Sequence, residues 1–151
     1  MLAAAKNLWI YWGGGFGAIY CQGNNANNYT MRNQVDASGT VGTTRSGGNS
    51  RFTTGTLTAN TWNHIVYNFN NGTSGFDVWI NGVKETLGSF SFGSNGSGNH
   101  ERIGAWVDTN YGGTYLSGVF QTTTYFDDFR FFNKNLSDSE VALLYAQGKD
   151  E

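Results

Sequence analysis

The chain has 151 residues, one domain's worth, and long enough to bury a core. Apolar residues make up 38%, aromatics 16% and charged residues only 13%, with a net charge of −2. This excludes the basic face a nucleic-acid partner requires and, with no apolar run near the ~20 residues of a membrane helix, membrane insertion. Few aliphatics and many rings suit a sandwich whose facing sheets are filled by aromatic side chains. The 22 glycines among many Asn, Ser and Thr mark frequent turns, and proline is absent. A single cysteine, Cys21, allows no internal disulfide and reads as a small buried hydrophobe.

Taken in order, Met1–Asn7 lacks the pattern of a signal peptide, so a leaderless chain is expected. Asn7–Trp12 and Phe16–Cys21 read as aromatic strands separated by Gly13-Gly14-Gly15, followed by an Asn-rich turn. Tyr29–Val35 alternates weakly, Thr40–Ser50 reads as a polar hairpin end, and Arg51–Thr58 as another strand. In Asn60–Phe69 the apolar Ile65, Tyr67 and Phe69 share one face. Phe76, Val78 and Ile80 then alternate up to Asn81-Gly82, the strongest short hairpin signal. Gly93–Gly98 reads as a loop, Arg102–Gly104 as a strand, and Ala105–Gly118 as a long loop rich in Tyr, Gly and Asn.

Tyr125–Phe132 is a strand of aromatics broken by Asp127, Asp128 and Arg130, and a short helix of one or two turns follows. Ser137 and Glu140 form a capping box, Leu136 and Val141 a hydrophobic staple, and Gly148 is expected to end the helix in a left-handed conformation. Val141, Leu144 and Tyr145 fall on one apolar stripe.

The run from Phe126 to Val141 resembles the closing motif of laminin-G-like domains of the concanavalin A-like jelly roll, an Asp-Asp strand leading into Leu-Ser-x-x-Glu. The Trp62-x-His64 strand closing its hairpin at Asn81-Gly82, and Ile103-Gly104, are similar to the same family, so the resemblance spans roughly Leu8–Gly148. It implies an all-β, antiparallel two-sheet jelly-roll sandwich with one short C-terminal helix. Two departures stand out: the opening hairpin usual in such domains has no room here, and extra residues separate Gly118 from Phe126. The first implies an open strand edge that another chain or copy would cover.

Adjacent residues of a regular strand point to opposite faces, so Asp127 and Asp128 are not expected to work as an acid–base pair. By resemblance, Asp127 is a candidate for a structural calcium. The competing reading is a partly buried carboxylate accepting amide hydrogen bonds, since calcium takes six to eight oxygens. Arg130 is expected to pair with a carboxylate, and His64 to be structural. No Gly-x-Ser-x-Gly, phosphate loop or paired glutamate motif occurs, which points away from an enzyme.

The candidate site is the stretch Trp106–Tyr115: Trp106 and the tyrosines Tyr111 and Tyr115 can stack on sugar rings while Asp108 and Asn110 hold hydroxyls. Alternatively, Trp106 caps the core and the rest is a solvated loop. The expected function is a non-catalytic recognition module that binds a glycan or a surface protein through sheet-end loops. The alternative is a virion or assembly subunit, such as a capsid-decorating or fibre protein. Both imply an extracellular or virion-surface location and a homo-oligomer or a docked subunit.

Overall fold

The computed structural model describes residues 5–23, 29–44, 50–69, 76–88, 101–108, 115–117, 120 and 122–149. Twelve strands and one helix follow in chain order among them: β1 Ala5–Trp12, β2 Gly17–Gly23, β3 Tyr29–Val35, β4 Thr40–Thr44, β5 Ser50–Thr56, β6 Thr61–Phe69, β7 Phe76–Ile80, β8 Val83–Leu87, β9 Glu101–Ile103, β10 Trp106–Asp108, β11 Tyr115–Ser117, β12 Thr124–Phe132 and α1 Asp138–Lys149. Two antiparallel five-stranded sheets, in the orders β12-β1-β6-β7-β8 and β5-β4-β3-β2-β9, belong to two separate compact units.

The first unit holds the sheet β12-β1-β6-β7-β8 and the helix. Ala5, Val66 and Trp79 from three of its strands meet Leu136 and Val141, with Phe132 and Leu144 packed against them. The staple residues therefore sit together in this cluster, and the capping box forms: the Ser137 amide donates to Glu140 Oε2 (2.8 Å) and the Glu140 amide to Ser137 Oγ (3.3 Å). A side-chain hydrogen bond from Lys134, with Ser137, pulls the Glu140 carboxyl down to about 2. The entry to the helix is also held from below. Buried Asn68 donates to the Leu136 carbonyl (2.7 Å) and accepts from the Leu136 amide (3.0 Å), so one strand amide satisfies both backbone groups of the residue before the cap.

The helix runs for 12 residues, over three turns, and Gly148 lies inside it rather than ending it in a left-handed conformation. Glycine is required there for a different reason: a Cβ at 148 would stand 2.2 Å from Nε1 of Trp9. The Asn81-Gly82 turn is as expected, with φ of 50° and 82° at its two residues, and the Asn81 amide donates to the His64 carbonyl (2.9 Å).

The second unit holds the other sheet and the β10–β11 pair. Thr40–Thr44, expected as part of a polar hairpin end, is strand β4, paired with both β3 and β5. Its polar residues are accommodated by mutual bonding. Buried Asn33 donates to Thr43 Oγ1 (2.8 Å), and the Val41 amide donates to Thr53 Oγ1 (3.0 Å). Cys21 is buried, as expected of a small hydrophobe.

Candidate functional site

The stretch expected as one long loop from Ala105 to Gly118 contains a hairpin. Trp106 pairs with Ser117, Val107 with Leu116, and Asp108 with Tyr115, all antiparallel. Alternating Trp-Val-Asp and Tyr-Leu-Ser segments suit short strands, but each has only three residues, too few for periodicity to show. The backbone thus brings Trp106, Asp108 and Tyr115 into one hairpin, with Asp108 opposite Tyr115. Asn110 and Tyr111 lie outside the described residues.

The Asp127-Asp128 pair departs from the expected alternation. Two residues of β12, Asp128 and Phe129, stand opposite the single Leu8 of β1, a β-bulge with Asp128 at φ 50°. Asp127 is paired with Trp9, whose ring stacks on Tyr145 of the helix. Asn7 Nδ2 donates to the Asp128 backbone carbonyl (3.2 Å) and lies 3.4 Å from its carboxylate. Both aspartates therefore sit on the helix-bearing face, because the extra residue of the bulge resets the alternation.

Asp128 is ion-paired with Arg130, and Asp127 Oδ1 accepts the Asp128 amide (2.8 Å). With Leu144, Gln147 and Gly148, Asp128 and Arg130 line a cleft of about 320 Å³ beside the helix C-terminus. Among the described residues no group of three or more His, Cys, Asp or Glu is gathered where it could hold a metal.

His64, on this same face, is fully buried. Its Nε2 lies 2.6 Å from Asn7 Oδ1, and Asn7 Nδ2 is committed as a donor to Asp128, so His64 donates through Nε2. Nδ1 has no hydrogen-bond partner among the described residues. Burial pulls the imidazole down to about 4, partly offset by the charge of Asp128. The ring packs against both Trp9 (centroids 5.0 Å) and Tyr145 (5.5 Å), which also stack on each other. It positions strands and takes no part in surface chemistry.

Past the end of the helix the same sheet face bears three rings that the sequence reading did not connect. Tyr11 of β1 pairs in register with both Trp62 of β6 and Tyr125 of β12, at ring distances of 5.9 and 5.8 Å. Trp62 is 43% and Tyr125 58% exposed. The signal was one exposed-side aromatic in each of three strands, but only the register places them side by side.

A sequence model of the concanavalin A-like lectin/glucanases superfamily, in its laminin G form, matches residues 6–142. The chain belongs to this family. Its fold is the antiparallel two-sheet jelly roll with one helix that the closing motif implied. No curated protein matches it. Among solved structures, it is similar to the sialidase of Trypanosoma rangeli in complex with sialic acid: 13% identity, TM-score 0.66, 96% of this chain and 23% of the sialidase. The Ruminococcus gnavus IT-sialidase CBM40 bound to α2,3-sialyllactose shares 14% identity at TM-score 0.67 over 94% of this chain and 82% of that one. The heptameric SAP-like pentraxin of Limulus polyphemus shares 14% at TM-score 0.62 over 95% and 70%. These likenesses establish the fold, and this chain spans about a quarter of the sialidase's length.

Proposed function

We propose that this laminin-G-type domain is a non-catalytic recognition module that binds glycans through the β10–β11 hairpin. The carrying observation is the register that sets Asp108 opposite Tyr115 with Trp106 on the same strand as Asp108. Aromatic faces stack on the C–H faces of sugars, and a carboxylate accepts hydroxyl donors. Structural neighbours support the reading in general terms: one is a carbohydrate-binding module with sialyllactose, and another a botulinum neurotoxin type C whose cell entry depends on two ganglioside molecules. A non-catalytic role is supported by the commitment of Asp128 to Arg130 and Asn7. Such a module works outside the cell or on a particle surface.

Between this reading and that of an assembly subunit, strand β12 favours the first. It is a sheet edge bonded to β1, and it carries a bulge and three charged residues. Bulges and charges are devices that keep an edge from pairing with other chains.

The test is a glycan-array screen of the purified chain and of variants with alanine at Trp106, Tyr111 and Tyr115, with calcium and with chelator. Glycan binding lost in the variants supports the reading. Binding unchanged by all three substitutions, or no binding in either condition, removes it.

A further inference from the structure

We propose a second ligand site, apart from the hairpin: the row Trp62–Tyr11–Tyr125, with Asp127, is a platform for a single chain of uncharged pyranose sugars.

The row is built rather than incidental. Tyr11 stands in register opposite Trp62 on one side and Tyr125 on the other, so three adjacent strands fix the spacing of the rings. None of the three rings depends on a loop, which keeps them presented without an ordering cost on binding. All three stand on the face that carries the helix, one row beyond Trp9, where Trp9 and His64 pack under Tyr145. The helix covers that earlier row and leaves the next one in solvent, with Trp62 43% and Tyr125 58% exposed. A soluble domain seldom leaves two large rings of one contiguous patch this exposed without use.

Charge selects the ligand. In the flanking stretches 9–13, 60–64 and 124–127 there is no lysine or arginine and one carboxylate, that of exposed Asp127; the next charges along β12, Asp128 and Arg130, are paired with each other. Asp127 stands two residues from Tyr125 on the same face, and one of its oxygens is taken by the Asp128 amide. Its other oxygen can accept sugar hydroxyls, but its charge repels sialic acids and sulfated sugars. Exposed Asn60, two residues before Trp62, adds an amide at the rim.

Ring geometry narrows the class further. Trp62 is inclined at 73° to Tyr11, and Tyr11 at 49° to Tyr125. Rings so inclined cannot lie flat together on a crystalline polymer surface, but they can follow the twist of one soluble chain.

The full chain and its Trp62→Ala and Tyr125→Ala variants would be titrated calorimetrically with cellohexaose, mannohexaose and xylohexaose, and with sialyllactose as the acidic probe. Leu143→Ala, on an exposed helix position, is the control. Thermal melting would confirm that each variant folds. The expected result is binding of at least one neutral hexasaccharide, weakened roughly tenfold or more by each row variant and unchanged by Leu143→Ala. The site is overturned if no neutral hexasaccharide binds, or if binding survives both row variants. It is equally overturned if Trp62→Ala merely dissolves a dimer seen by sedimentation. Neutral binding lost only in the Trp106 and Tyr115 variants would overturn the row and leave the hairpin reading standing.

Discussion

The covered and bare ends of the sheet β12-β1-β6-β7-β8 use the same strands to opposite effect. Under the helix, Trp9, His64, Val66 and Asn68 are buried, and Asn68 spends both ends of its amide on the Leu136 backbone while His64 ties to the Asn7 side chain. One row past the helix end, Tyr11, Trp62 and Tyr125 occupy equivalent positions of β1, β6 and β12, yet two of the three are substantially exposed. The difference lies in what the helix reaches. Side chains that it covers are held for stability, and those beyond it are available to a ligand.

Four experiments would sharpen or break that contrast. The largest effect is expected from Asn68→Ala, which leaves the amide and carbonyl of buried Leu136 without partners. We expect a loss of about 3 kcal/mol in urea denaturation, with faster hydrogen exchange in α1. Acidification comes next. His64 has its proton affinity lowered in the fold, from an ordinary 6.5 to about 4. The unfolded chain therefore binds the proton more readily than the fold does. Stability is full above pH 6.5 and falls as pH drops towards 4, by about 2 kcal/mol at pH 5. Melting temperatures across this range should flatten in His64→Gln; an unchanged slope would show that another group is responsible.

Gly148→Ala drives a methyl group into the indole of Trp9 and should cost about 2 kcal/mol, even though alanine is the better helix former. If the glycine served as a left-handed cap, its φ would be positive, and it is not among the positive-φ residues. Smallest of all, Tyr125→Ala at the bare end should change stability by no more than about 0.5 kcal/mol. A large loss there would mean that the row belongs to the core and not to a surface.

Where the sequence spoke clearly, the determinants were local. Ser137 and Glu140 bond across one helical turn, and Asn81-Gly82 adopts its turn with its own two backbones. Strand β4 was less legible because its Thr and Gly residues look solvated in a linear reading, whereas Thr43 is buried against Asn33 of a neighbouring strand. The same holds for the asparagines. Asn7, Asn63 and Asn68 read only as polar positions within strands, yet they are ties between segments, as when Asn63 bonds the Thr58 amide (3.0 Å) and carbonyl (2.9 Å).

The sequence by itself determined the fold class, the capped helix, the tight hairpin and the laminin-G-type identity, since each rests on residues close together in the chain or on a motif. Only the tertiary structure decided that Gly148 is a packing glycine, that a bulge puts Asp127 and Asp128 on one face, and that Tyr11, Trp62 and Tyr125 form one row. Each of these depends on strand register, set by pairing between residues far apart in the chain, such as Ala5 and Phe132, and no local pattern encodes it.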